Sequence, residues 1–148
     1  MDILCINVIR TSEVFSKLNK QHFKNFKVTL AIAKLSKELN DYGQFVAAEE
    51  RKILLKYMKK NADGTDFLLD KNNNIQIEDQ SKIVDLNREM DEFHQNVLEI
   101  KSIDSKIVFT SQEGLSELTP QDIMIIDNFV EFDFPEEKVM PDETKPQA

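Results

Sequence analysis

"FKVTLAIAKLSKELNDYGQFVAAEERKILLKY", residues 26–57, is the stretch that decides the fold. Its apolar residues recur at alternating steps of four and three, and the stripe resumes near the end of the stretch: Val28, Ile32, Leu35, Leu39, Tyr42, Val46, Ile53 and Tyr57. Heptad spacing of this kind predicts an amphipathic helix with one apolar seam. Gly43 lies inside the stretch and costs about 1 kcal/mol relative to Ala. The sequence therefore leaves open whether residues 12–60 form one helix or two.

A second apolar seam follows further along the chain. The pattern of the first stretch ends at "KKNADGTD" (59–66), where Asn, Asp and Gly stop a helix. A new helical pattern then runs from Asp79 or Ser81 to Glu99, and its seam repeats at three- and four-residue steps: Ile83, Leu86, Met90, Phe93, Val97 and Ile100. Two such seams predict an antiparallel long-helix pair with coiled-coil-like packing.

The segment between the two seams, "DKNNNIQIED" (70–79), resembles the start of a calcium-binding EF-hand loop. Such a loop needs Gly at its sixth position and a bidentate Glu at its twelfth. Counted from Asp70, those positions hold Ile75 and Ser81, so the calcium interpretation fails. Short β-prone runs at 66–70 and 74–78 flank an Asn-rich turn instead. A β-hairpin joining the two long helices is therefore predicted.

The remaining segments complete the predicted fold. Residues 2–9, "DILCINVI", are typical of a strand, and residues 103–109 contain "SKIVF", a second one that could pair with it in a small sheet. "LTPQDIMIIDNFVEF" (118–132) predicts a short C-terminal helix, with Thr119 as its cap. The fold class is α+β and mainly helical, with a single domain over 1–134. The acidic, Pro-containing tail 135–148 is predicted to be disordered.

Composition narrows the class of protein. The 148 residues carry a formal net charge of −8. Residues 1–60 hold twelve Lys and Arg against six Asp and Glu, whereas residues 61–148 hold seven against twenty-one. The N-terminus lacks a signal-peptide pattern, and no window reaches the length of a membrane span, so we expect no membrane association. The single Cys5 lies in an apolar run and is expected to be a buried thiol.

No motif proposes a reaction. His22 and His94 lack further ligands at metal-binding spacing, and the three glycines are too scattered for a phosphate loop. We therefore expect no catalytic residues, no metal site and no cofactor, and we do not expect an enzyme.

Two surfaces are candidates for binding. Apolar residues crowd the segment 123–134, more than a short helix can hide within one chain, which indicates an interface with a protein partner or with a second copy. Its members are Ile125, Ile126, Phe129, Val130, Phe132 and Phe134. Lysines recur at three-, four- and seven-residue steps earlier in the chain: Lys17, Lys20, Lys24, Lys27, Lys34 and Lys37. On one helix they would form a ridge for an anionic partner or nucleic acid, or they would pair with acids of the second helix, namely Asp85, Glu89, Asp91 or Glu92.

The order of these features resembles a group of small uncharacterised proteins from phages of Gram-positive bacteria. The Lys-rich helix ending in Lys-Tyr, the Asp/Asn/Gly-rich hairpin, the second amphipathic helix and the Leu-Thr-Pro helix carry the resemblance, over about residues 15–132. "NADGT" replaces the turn usual in that group, and the acidic tail is longer. The resemblance implies a phage protein and assigns no activity to any residue.

We therefore expect a non-enzymatic phage protein that acts by protein–protein contact, as a virion structural or assembly component of the head, connector or tail. It would occupy the cytoplasm of the infected cell or the virion. One alternative is a soluble inhibitor that binds a host or defence protein through its acidic surface. Another is nucleic-acid binding through the lysine ridge.

Overall fold

A computed structural model describes residues 1–134, so the predicted disorder of the tail lies outside the described residues. The chain is α+β and mainly helical, which confirms the predicted class. Its helices are α1 (Cys5–Asn19), α2 (Phe26–Tyr57), α3 (Ile83–His94) and α4 (Pro120–Ile126). Its strands are β1 (Asp2–Leu4), β2 (Val97–Glu99), β3 (Ile107–Phe109) and β4 (Val130–Phe132).

The described residues form two compact units. Unit 1 comprises Met1 with residues 9–40 and 99–134, and unit 2 comprises residues 2–8 and 41–98. Both α1 and α2 contribute residues to each unit. The single domain over 1–134 stays a prediction.

The two small sheets differ from the one predicted. β1 pairs with β2, and β3 pairs in parallel with β4, with Ile107 opposite Val130 and Phe109 opposite Phe132. The predicted pairing of the N-terminal strand with residues 103–109 is therefore wrong. The predicted helix over 118–132 ends at Ile126, which frees the three residues of β4 to pair with β3.

The predicted N-terminal strand over 2–9 is also too long, because the helix α1 begins at Cys5. The buried residues of α1 lie three or four positions from one another along one face of the helix, which is the helical period: Cys5, Val8, Thr11, Ser12, Val14, Phe15 and Leu18. An apolar run of this length fits a strand or a helix equally well until its pattern is followed to its end. Here the periodicity continues to Leu18, and the helix is the better solution.

Helix α2 is continuous through Gly43, where nothing lies within 4 Å of the position that an added Cβ would take, so no close contact requires glycine. The break in the segment 12–60 lies instead at residues 20–25, between α1 and α2. Asn25 starts α2, because its Oδ1 accepts a hydrogen bond from the backbone N–H of Lys27 at 2.9 Å. The sequence thus contains two helices, divided before Phe26.

Unit 1 buries the first half of the seam on α2. Val28, Ile32, Leu35 and Leu39 are all buried there. Phe15 of α1 meets Phe129 edge to face, with ring centroids 6.2 Å apart. The buried set of unit 1 also includes residues of the second sheet and of α4: Ile107, Phe109, Ile126 and Val130.

Unit 2 buries the second half of the seam. Ile53, Met58 and Leu86 form its core, against which Leu54, Tyr57, Phe67, Ile77, Met90 and Phe93 pack. The two seams therefore do not pair over their whole predicted length. α3 ends at His94, and Val97, a predicted seam residue, lies in β2 with 57% of its surface exposed. The first four seam residues of α2 belong to unit 1, whereas α3 belongs to unit 2.

The predicted β-hairpin is present in unit 2 as isolated antiparallel bridges instead of full strands. Leu69 bridges to Ile75 across the Asn-rich turn. Asp70 closes that turn, since its Oδ1 accepts hydrogen bonds from the N–H groups of Asn72 (2.8 Å) and Asn74 (3.0 Å). Asn73 adopts a left-handed conformation with φ 62°. The Asp and Asn residues that mimic a calcium loop thus organise a turn.

Candidate protein-binding groove

An apolar groove opens in unit 1, between the loop 112–118 and the end of β4. Its volume is about 370 Å³. Its lining consists mainly of apolar side chains, with two polar ones at the margin: Leu115, Leu118, Ile123, Phe132, Phe134, Gln112 and Ser116. Met124, next to the groove on α4, is 79% exposed. A groove with this lining suits an apolar side chain of a partner.

A row of four phenylalanine rings supports one wall of the groove. Phe23 lies against Phe109 with centroids 5.7 Å apart, and Phe109 stacks on Phe132 at 5.7 Å. Phe132 in turn contacts Phe134 at 5.9 Å. Phe23 and Phe109 are buried, whereas the last two rings are half-buried and line the groove. The wall is therefore continuous with the core of unit 1, and its position is fixed by aromatic packing.

The opposite side of the groove is a loop held against the same aromatic row. Gly114 has φ +79°, and a Cβ added there would lie 2.6 Å from Cε1 of Phe23. Only glycine allows both this conformation and this close approach. Two successive turns follow, in which the N–H of Leu115 bonds to Gln112 O and the N–H of Leu118 bonds to Leu115 O, each at 3.1 Å. Those turns place the two leucines in the lining.

Helix α4 is fixed by a capping box at its N-terminus. Thr119 Oγ1 accepts from the N–H of Asp122, and Asp122 Oδ2 accepts from the N–H of Thr119, both at 3.1 Å. Lys17 of α1 also donates to Asp122 Oδ2 at 2.8 Å. The hydrogen bond from Lys17, followed by that from the Thr119 N–H, lowers the pKa of Asp122. Asp122 therefore positions the helix that carries Ile123. This role agrees with its place in the first turn of α4.

The predicted interface residues divide into two groups. Ile126, Phe129 and Val130 are buried inside unit 1, with at most 3% of their surface exposed. A single chain therefore hides these three, contrary to the expectation from their number, because the segment splits into a helix and a strand that both face the core. Phe132 and Phe134 line the groove, and Ile125 is half-buried. Leu115 and Leu118 were missed, since they lie in a loop without periodicity.

The predicted lysine ridge is not on one helix. Lys17 lies on α1, and Lys20 and Lys24 lie in the connection 20–25. All six lysines are exposed, with Lys27, Lys34 and Lys37 on α2. Ion pairs join two of them to acids that were not predicted as partners: Lys17 to Asp122 at 2.8 Å and Lys24 to Glu113 at 3.8 Å.

The predicted acidic partners are bound in other ways. Glu89 accepts hydrogen bonds from Lys56 and, at 2.7 Å, from the Tyr57 hydroxyl, and Asp85 pairs with Arg88 at 3.1 Å. All of these residues belong to unit 2. The interpretation in which ridge lysines pair with Asp85 or Glu89 is therefore wrong.

The segment that supplies the groove lining is acidic. Residues 107–134 contain no Lys, Arg or His, but they contain six acids: Glu113, Glu117, Asp122, Asp127, Glu131 and Asp133. Lys17 and Lys24 offset the charges of Asp122 and Glu113. Glu117 and Glu131 are exposed. The electrostatic field around the groove thus favours a partner that carries positive charge beside its apolar group.

Unit 2 contains the chain's only thiol beside an acid–histidine pair. His94 Nε2 lies 2.6 Å from Glu50 Oε2, and Cys5 is 1% exposed, as predicted for a buried thiol. Burial, and then the negative charge of Glu50, raise the pKa of Cys5. A thiol with a raised pKa stays protonated at neutral pH and is a poor nucleophile. We therefore interpret this cluster as packing.

Within residues 1–134, no three His, Cys, Asp or Glu side chains are grouped so that they could hold a metal ion. Among the helices of that same stretch, none combines the length and the apolar character needed to cross a membrane.

A family model described as "Protein of unknown function (DUF1617)" matches residues 3–140 of the chain. Comparisons with curated proteins and with solved structures gave no significant match.

Proposed function

The chain belongs to this family of unknown function, and we propose from its groove that it works by protein–protein contact and not by catalysis. The observation that carries the proposal is the open apolar groove lined by Leu118, Ile123 and Phe132. Apolar side chains left accessible beside a packed core are typical of a surface that another protein covers. Met124, the residue after Ile123 on α4, is also exposed.

Packing and hydrogen bonds hold the elements around the groove in place. The phenylalanine row fixes one wall, Gly114 fixes the loop, and the Asp122 capping box fixes α4. A partner that binds a preformed surface loses less conformational entropy than one that must order it. Contact with a protein therefore suits this site better than a reaction, which would require titratable groups in the cavity.

The proposed setting is a phage infection, in which the protein serves as a virion structural or assembly component of the head, connector or tail. The order of the Lys-rich helix, the Asn-rich turn and the Leu-Thr-Pro helix supports this setting through the resemblance to phage proteins. On this proposal the protein would occupy the cytoplasm of the infected cell or the virion. Detection of the chain in purified virions would support a structural role, and its absence from both virions and infected-cell lysate would contradict the setting.

The test of the contact itself is photo-crosslinking from inside the groove. In the full chain, expressed in infected cells, a photoreactive phenylalanine analogue replaces Ile123. This residue is 38% exposed and lines the groove. The matched control carries the same analogue at Val84 of α3, which is 68% exposed. We expect protein adducts from position 123 and few from position 84. Equal yields at the two positions would overturn the proposal.

A soluble inhibitor of a host or defence protein is the second candidate, and the acidic character of residues 107–134 favours it. Exposed acids such as Glu117 and Glu131 could occupy a basic surface of such a protein. Binding of this kind weakens steeply with salt, because the acids are exposed. A salt-sensitive complex with a nucleic-acid-handling protein, together with absence from virions, would favour the inhibitor over the assembly component.

A further inference from the structure

An aromatic side chain stands exposed between lysines at the start of α2. Phe26 is 73% exposed. Lys24 lies two residues before it with 86% of its side chain exposed, and the exposed Lys27 follows it directly. Among the large apolar side chains of residues 1–134, two others are exposed to a similar degree, Val84 (68%) and Met124 (79%). Neither of these has a lysine within two residues on each side.

We call residues 24–27 the knob, and its side chains are chemically complementary to those of the groove. The knob offers an apolar ring beside positive charge. The groove offers an apolar lining, and the exposed Glu117 lies between its lining residues Ser116 and Leu118. An exposed phenylalanine loses unfavourable contact with water when a second surface covers it. Lys27 of one copy would then meet the exposed Glu117 of the other, and an opposite-charge contact of this kind favours the pairing over random association.

We propose that the occupant of the groove is a second copy of this chain, which inserts Phe26 while its Lys27 faces Glu117. This inference rests on the proposed function, since it takes the groove as the contact surface and names its partner. It assigns a role to the exposed aromatic residue and to part of the lysine series, which the groove alone does not explain.

We expect the dimer to be closed. Knob and groove both belong to unit 1, and Lys24 of the knob pairs at 3.8 Å with Glu113, the residue after Gln112 of the groove lining. If each of two copies related by a two-fold axis inserts its knob into the groove of the other, the contact is self-complementary and closes at two subunits.

Sedimentation equilibrium of the purified full chain tests the inference. We expect the wild type to dimerise and Phe26→Asp to be monomeric. Lys27→Glu and Glu117→Lys should each raise the dimer Kd at least about tenfold, because each places like charges together twice in a two-fold dimer. The double variant Lys27→Glu with Glu117→Lys restores the opposite-charge pair and should recover most of the affinity. Val84→Asp, on an equally exposed site of α3, is the control and should dimerise like the wild type.

Phe26 is exposed, so its replacement is expected to leave the far-UV circular dichroism spectrum unchanged. A monomeric wild type at high protein concentration overturns the inference, as does a dimer that survives Phe26→Asp. Either result leaves the proposed function intact if Ile123 still crosslinks to a different protein. If the double variant fails to recover affinity, Lys27 does not pair with Glu117 in the dimer.

Discussion

Replacing Gly114 by Ala should be the most damaging one-methyl change in unit 1. The residue has φ +79°, where an L side chain is strained by about 1–2 kcal/mol. The added Cβ would also lie 2.6 Å from Cε1 of the buried Phe23 and 2.9 Å from its Cζ, so the ring must move. Overpacking of this kind costs about 1–3 kcal/mol. The expected loss in the free energy of unfolding is therefore about 2–5 kcal/mol.

The other two glycines separate the two causes of that loss. Gly64 also has a positive φ of +71°, but nothing lies within 4 Å of its added Cβ, so Gly64→Ala should cost only the backbone strain of about 1–2 kcal/mol. Gly43 lies within α2 with open space around it. Gly43→Ala should stabilise the chain by up to about 1 kcal/mol, through its higher helix propensity.

Urea unfolding followed by circular dichroism at 222 nm gives the free energy of unfolding of all three variants. Circular dichroism replaces tryptophan fluorescence here, because the chain has no Trp. The order of stability should be Gly43→Ala, wild type, Gly64→Ala and then Gly114→Ala. If Gly114→Ala unfolds at the same urea concentration as Gly64→Ala, the contact with Phe23 does not constrain the loop. The account of the groove wall would then be refuted.

Three further changes test the packing of the two units. Asp122→Asn removes the partner of Lys17 and should destabilise the fold. The lowered pKa of Asp122 means that it stabilises the fold as a carboxylate. The destabilisation should therefore be full above about pH 4 and should shrink as the pH falls below that value. Leu86→Ala should cost about 2–5 kcal/mol, because its side chain is 5% exposed in the core of unit 2. Glu89→Gln should lower the pKa of Tyr57, which the hydrogen bond to Glu89 raises, as measured by ultraviolet titration.

Each of these changes has a control in the same chain. Thr119→Ala removes the other half of the capping box and costs about 1 kcal/mol. Its pH dependence should be weaker than that of Asp122→Asn, because the Thr119 hydroxyl is the smallest of the contributions that lower the pKa of Asp122. Val84→Ala, at a site 68% exposed, should leave stability within about 0.5 kcal/mol. Tyr42→Phe isolates the Tyr57 signal, because the chain has two tyrosines. A pH-independent Asp122→Asn effect, a neutral Leu86→Ala or an unchanged Tyr57 titration would each contradict the corresponding contact.

Local patterns in the sequence predicted the features that depend on local interactions. The seam of α2, the capping residue Thr119 and the turn at Asn73 follow from helix periodicity, backbone donors and left-handed conformation. The sequence could also predict that segment 123–134 contributes to the groove, since Phe132 and Phe134 line it.

Features that depend on distant partners were not predictable in this way. A strand of three residues has too few positions to show a period, so β4 was assigned to the preceding helix. Its partner β3 precedes it by more than twenty residues, and no local pattern indicates a parallel pairing of that kind. The second seam failed beyond His94 for a similar reason, because apolar spacing alone does not show where a helix ends; Val97 lies in β2 with 57% of its surface exposed, whereas Ile100 is buried.

The row of phenylalanine rings makes the groove observable by magnetic resonance without any label. Each ring shifts the proton resonances of its neighbour, and contact runs from Phe134 through Phe132 and Phe109 to the buried Phe23. A molecule that settles on the accessible end therefore perturbs ring currents at that end first, and small readjustments pass inward along the stack. The aromatic spectrum of the unmodified protein can thus report occupancy, and the rings with the largest shifts would identify the end of the row that the bound molecule contacts.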